Sequence, residues 1–176
     1  LHQRRNDSLE LRNLERDQDA NLRMRNAARR LPFVAEVGSI IAGVSAPGQV
    51  VRSDVNGRSI PLDRYSIVSS DFFTTLGIAG ENGRPMVLNQ TPGPVVVVDE
   101  AFAVRMWGSS TKPLGQSIYL GQTPQMPFKL VGVIKSFPLE RFMLTFTQHT
   151  REAQGHLFVV DDTVLPRGST LYVRTT

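Results

Sequence analysis

The sequence predicts an α+β protein, a mixed β-sheet carrying about three helices, and three observations carry that prediction. The hydrophobic period changes from two to 3.6 and back between residues 8 and 47. Two short runs, "VVVV" at 95–98 and "LVGVI" at 130–134, are apolar on both faces, as strands inside a sheet are. Two further segments each open on a helix-capping residue and stop at a glycine, Gly77 and Gly108.

The elements follow in order. "SLELRNL" (8–14) alternates apolar and polar residues and reads as a strand. From Asp17, an available N-cap, Ala20, Met24, Ala27, Ala28 and Leu31 fall at helical spacing, and Pro32 stops the run. "FVAEVGSIIAGVSAP" (33–47) is a long Val/Ile-rich strand, completing a β-α-β opening. "VVRSDVNGRSIPL" sets Asn56-Gly57 between two β-type runs, the signature of a tight hairpin. Pro61 lies inside its second arm, which makes that arm an edge strand or interrupts it. In "SSDFFTTLGIAGENGRP" (69–85), Ser69 or Ser70 caps a short helix with Asp71 in its first turn. Phe72, Phe73 and Leu76 are its anchors, and Gly77 ends it. Val95–Val98 forms a central strand, Asp99 caps the next helix, and Gly108 closes that helix. Residues 116–120 form a strand that pairs with 128–137. The stretch from 138 to 156 has weak periodicity, and "HLFVVD" and "STLYVRT" are closing strands.

At 176 residues the chain is one domain, or two small lobes sharing a core, with a flexible start at 1–7. It contains no cysteine, which excludes disulfides, thiolate nucleophiles and cysteine-based zinc sites. The net charge of +4 is concentrated at the start, where residues 1–30 carry eight Arg against five acids. Nucleic-acid binding calls for a dense basic face with aromatic stacking partners. Residues 1–32 have no Phe, Tyr or Trp, so no nucleic-acid partner is expected and the arginines read as a solvated helix face. An arginine-rich start also suits a position beside anionic lipid heads. No run approaches the ~20 apolar residues of a membrane-spanning helix, and no signal peptide is visible. Because the chain opens on Leu1, a piece of a longer protein is expected, with any membrane segment outside it.

The chemistry-bearing residues are few. There is no Gly-Lys-Ser/Thr phosphate loop and no G-x-S-x-G elbow. Asp99-Glu100 lies at the carboxyl end of a central strand, where α/β sites form. Catalysis there competes with helix capping, which accounts for Asp99, and with an ordinary first-turn role for Glu100. His149, His156, Glu152, Asp161 and Asp162 form a candidate oxygen-rich metal site, set against a solvated loop because their spacing matches no ligand pattern. Arg84 is a candidate anion ligand, with a turn pairing to a carboxylate as the competing reading. The Phe72-Phe73 pair is either core or a partner-binding knob.

Three segments taken in order carry a resemblance. "VSSDFFTTLGIAGENGRP" resembles the Val-x-x-Asp-Phe-Phe-x-x-Leu-Gly-Ile, then Gly-Arg, pattern of extracytoplasmic domains in MacB/FtsX-like ABC transporter permeases. "PVVVVDEAFAVRMWGSSTKPLGQSIYL" is similar to that family's strand, Asn-Glu-Ala helix and Pro-Leu-Gly turn, with Asp99 in place of Asn. "FKLVGVIKSF" is similar to its Val-Val-Gly-Val strand, with Ser136 in place of the Asp that precedes Phe137. The resemblance is strongest over 65–137 and thinner over 8–47 and 157–175. The family pattern continues past the final "LYVRTT" with another helix and strand. The resemblance implies a MacB-like periplasmic core domain, a porter-like β-α-β lobe with a smaller inserted lobe, placed outside the cytoplasmic membrane in an integral permease. It implies coupling of ATP-driven helix movement to export or signalling, with an ABC ATPase, a second permease copy, and a periplasmic adaptor or cargo as partners. It implies no enzyme activity, no cofactor, and no catalytic or metal-binding residues. A soluble extracytoplasmic binding or adaptor module and a small hydrolase or metal-dependent enzyme are the alternatives.

Overall fold

A computed structural model describes residues 19–20, 22–80, 83, 86, 88, 91–109, 114–121, 126–135, 155–163 and 169–176. The strand expected at 8–14, Asp17, the flexible start, Arg84, His149 and Glu152 lie outside these residues. The first described helix, α1, covers residues 22–29. It is followed by β1 (Val34–Ser53), β2 (Ser59–Val68), α2 (Phe72–Thr75), β3 (Val95–Asp99), α3 (Glu100–Trp107), β4 (Ser117–Leu120), β5 (Phe128–Ile134), β6 (Leu157–Val160) and β7 (Thr170–Thr175).

The described strands form one mixed sheet in the order β2-β6-β3-β5-β4-β1-β7. A further pairing of β2 with β1 closes six of them into a ring, leaving β7 on the outside of β1. Closure confines the open edges, where backbone groups go unpaired, to β7 and to the stretch of β2 that pairs with β1 alone. β3 runs parallel to β5 and antiparallel to β6, so it is flanked on both sides as its apolar run predicts. β4 pairs with β5 as expected, through Ser117↔Lys129 and Ile118↔Phe128.

Alternation along β3 divides the interior in two, because successive side chains of a strand point to opposite faces. Val96 and Val98 join a cluster with Val51, Leu62, Ile118, Leu130 and the α3 residues Phe102, Ala103 and Met106. Val97 joins the other cluster with Ile40, Val68, Ile134, Phe158 and the α2 residues Phe72 and Phe73. Thus α3 covers one face of the sheet and α2 the other.

Three expectations need correction. β1 does not stop near residue 47 but runs to Ser53, past Pro47-Gly48. Gly43 and Gly48 take positive φ (62° and 72°), and the pairing with β2 shifts register between Ile41 and Val44 and between Ser45 and Gln49. Bulges of this kind bend a strand without ending it, so a dipeptide that looks like a turn is absorbed into a curved strand. The Asn56-Gly57 connection is not a tight two-residue turn either. Ser53 and Ser59 bound the loop, only Gly57 of the pair has positive φ, and the Asn56 side chain accepts from Arg58 N at 3.0 Å. Its amide also donates to the Met106 carbonyl at 3.1 Å, tying the hairpin tip to α3. Finally, neither Ser69 nor Ser70 caps α2. Ser69 Oγ accepts instead from the Ser39 amide at 2.9 Å, and Asp71 occupies the N-cap without a side-chain bond to the helix.

Pro61 lies in the half of β2 that pairs only with β1, so its missing N–H faces no second strand. Its carbonyl accepts from Arg105 Nη2 of α3 at 2.8 Å.

Candidate functional site

The carboxyl end of β3 is where the sequence places its most plausible chemistry, and the fold brings His156 to it. Asp99 is buried (3 % exposed) and caps α3, its Oδ1 accepting from Phe102 N at 2.8 Å. Its Oδ2 lies 3.3 Å from His156 Nδ1. The Asp99 amide donates to the His156 carbonyl at 3.1 Å, a bond that extends the β3–β6 pairing by one step. The imidazole lies nearly flat over Phe158, with centroids 6.2 Å apart and 27° between the rings. Glu100 is half-buried in the first turn of α3. Two candidates read separately from the sequence therefore meet, since β6 lies beside β3.

This arrangement holds the fold together chemically. Both Asp99 oxygens are engaged, one on a backbone N–H and one on the imidazole, so the carboxylate stabilises the start of α3 and the start of β6 together. Substituting an N-cap by alanine costs roughly 0.5–2 kcal/mol. We expect Asp99→Ala to lie near the top of that range, because it also strips His156 of its partner. Asp99→Asn, still able to cap, should keep most of the stability. Urea denaturation of both variants measures the difference.

The described acids of the proposed metal cluster, Asp161 and Asp162, are each engaged by other groups. Asp161 Oδ1 accepts from the Thr163 amide (2.8 Å) and hydroxyl (2.7 Å), forming a turn of its own. Asp162 Oδ1 accepts from Ser70 N at 3.1 Å and from Arg25 Nη1 at 3.3 Å. Among the described residues no group of three or more His, Asp or Glu is placed to hold a metal ion.

The Phe72-Phe73 pair is core. Both rings are buried, packed edge-on to each other, and Phe72 also meets Tyr172 of β7 while Phe73 meets Phe158 of β6. Burial pushes the ionisation of the Tyr172 phenol above its ordinary range. Gly77 has φ 68°, and the Ile78 amide reaches back to the Phe73 carbonyl at 2.8 Å, stopping α2 as expected. Close packing of α2 on β1 requires a glycine there. A Cβ on Gly38 would come within 2.6 Å of Phe72 Cα, so Gly38→Ala should push α2 off the sheet. Its signature would be a lowered denaturation midpoint with exposed aromatic surface, read by dye binding.

A shallow cleft of about 200 Å³ lies beside α2, lined by Glu36, Thr74, Gly77, Ile78, Ala79, Gly83 and Arg174. Arg174 Nη2 bridges Glu36 Oε1 at 2.7 Å on its wall. Small-molecule sites usually offer about 300–1,000 Å³, so the cleft is small for a ligand site.

Sequence reasoning missed one feature. The arginines of α1 read from the sequence as its solvated face, yet Arg25 is buried and paired with Asp162, and Arg29 pairs with Asp71. Arg25 and Arg29 are one helical turn apart, and acids on the body turn that side inward. The only signal available was their i,i+4 spacing, which says nothing about distant partners.

No family model matches the sequence. Among solved structures, the periplasmic region of MacB from Actinobacillus actinomycetemcomitans superposes with a TM-score of 0.54 over 86 % of this chain, at 16 % identity. The fold is that of the MacB periplasmic region. This chain spans 62 % of the length of that structure. The MacB-like fold is α+β with a mixed sheet and few helices, as the sequence predicts. Among the described residues, no helix is long and apolar enough to cross a membrane.

Proposed function

We propose that this chain is an extracytoplasmic domain of an ABC transporter permease, one that carries movement of membrane helices to an export cargo or a signalling partner. The observation that supports it is the MacB-like fold over 86 % of the chain. The sequence motifs at 68–85, 94–120 and 128–137 point the same way. In this reading ATP is hydrolysed by a separate cytoplasmic ATPase subunit or domain, and the chain itself does no chemistry. The partners are that ATPase, a second permease copy, and a periplasmic adaptor or cargo. The whole chain forms one extracytoplasmic domain, of one or two lobes, and 65–137 carries its strongest family resemblance.

The interior suits such a role. Interiors packed at crystal-like density transmit displacement with little loss, and here both faces of the sheet are clamped by buried aromatic anchors. Asp99 caps α3 with one oxygen and meets His156 with the other, which suits a structural role.

The test is the reading frame that encodes this chain. A membrane helix immediately before Leu1 and three after the domain are expected, and reporter fusions to the chain should be active only outside the cytoplasm. A frame without hydrophobic segments on either side overturns the permease reading and favours a soluble adaptor module.

A further inference from the structure

α1 is mounted with its polar side inward. Arg25, with a side chain 7 % exposed, reaches Asp162, and Arg29 reaches Asp71 at the start of α2. Leu22 and Ala28 are half-buried on that same side. The opposite side of α1 carries Met24 and Ala27, with Ala20 one turn before them and Leu31 in the turn that follows the helix. Both alanines are exposed, Met24 is 52 % exposed, Leu31 is 45 % exposed, and Phe33 just beyond is 56 % exposed. Helices of water-soluble bodies normally turn such a stripe toward the core. Here the two ion pairs to the body hold it out.

The charge beside the stripe indicates what covers it. Arg23 of α1 and Arg30 in the turn after it border one edge of the apolar stripe beside a single acid, Asp19, and both arginines are exposed. Neither belongs to the ion pairs that fasten α1, which use Arg25 and Arg29. An apolar stripe edged by arginines matches a bilayer surface, where methylenes enter the acyl boundary and guanidinium groups meet phosphate. An antiparallel pairing with a second copy through this stripe would instead bring the bordering arginines of the two copies together.

We propose that the outward face of α1, with Phe33, docks on an anionic phospholipid surface. This goes beyond the permease reading and does not rest on it, because it concerns a face of this chain alone. In such a permease the contact would set the tilt of the domain on its bilayer.

Flotation of the chain with vesicles tests it. One set contains equal phosphatidylglycerol and phosphatidylcholine, and the other phosphatidylcholine alone. The chain is expected to float with the anionic set and to lose binding as salt rises. The double variant Met24→Asp/Leu31→Asp should lower the bound fraction about tenfold or more. Arg23→Gln/Arg30→Gln should weaken binding and flatten its salt dependence. Arg58→Gln/Arg64→Gln removes the same charge from exposed positions elsewhere, and should leave binding within about twofold. All the altered side chains are exposed, so unchanged melting curves are expected and serve as the folding control. Three results overturn the proposal. They are absence of binding to anionic vesicles, equal loss in both arginine variants, and a concentration-dependent dimer abolished by the Met24/Leu31 variant without vesicle binding. None of these bears on the flanking helices of the reading frame, so the two readings fail separately.

Discussion

Gly155→Ala is expected to lower the stability of the chain by more than about 3 kcal/mol. A Cβ at this position would collide with Phe102 N and sit 2.6 Å from Phe102 Cα, both backbone atoms at the start of α3. It would also fall 2.7 Å from Asp99 Oδ1, the oxygen that caps the helix. No side-chain rotation relieves contacts of that kind, so either α3 or the entry to β6 must move. Gly155 further has φ +74°, which an L side chain adopts with strain. Gly48→Ala separates the two causes. That residue has φ +72° with open space around it, so it should cost only about 1 kcal/mol. Denaturation midpoints of the two variants decide. Equal losses would mean that α3 and Gly155 are not packed as described.

Phe73→Ala is the second large effect, expected to cost about 3–5 kcal/mol, as truncation of a buried phenylalanine does. Phe73 is fully buried and stands edge-on to Phe72, at 5.2 Å and 76°, and to Phe158, at 5.3 Å and 84°. Removing it empties the centre of the cluster between α2 and β6 and loses two favourable ring geometries. For a chain of this length the melting temperature should fall by about 10 °C. Val104→Ala on α3 is the comparison. Val104 is 51 % exposed, and its loss should stay within about 0.5 kcal/mol. Scanning calorimetry reads both.

Where the sequence was legible, the forces were local. Val95–Val98 could only be a strand enclosed on both sides, and the Asp99 cap, the Gly108 stop and the Gly77 stop follow from residue types at fixed offsets. Pro61 marks its own strand half as an edge because it lacks an N–H. Features that depend on what arrives from far along the chain were not legible. Ser69 could cap α2 locally, but the Ser39 amide, thirty residues away in sequence, claims its hydroxyl. Arg25 looks solvated until Asp162 is placed beside it, 137 residues later. The approach of Asp99 to His156 is of the same kind, created by β6 settling next to β3. Closure of the sheet through β1 was hidden because the strand reads as ending at Pro47, and its continuation to Ser53 is set by partners far along the chain.

β1 also bears on how the chain comes to be folded. Its first half pairs with β7 from Val34↔Thr175 to Ile40↔Thr170, joining the earliest described strand to the latest. A ribosome adds about 5–20 residues per second, so that side of β1 waits several seconds for its mate to be synthesised. Through that interval the first half of β1 carries a hydrogen-bonding margin that β7 has yet to reach.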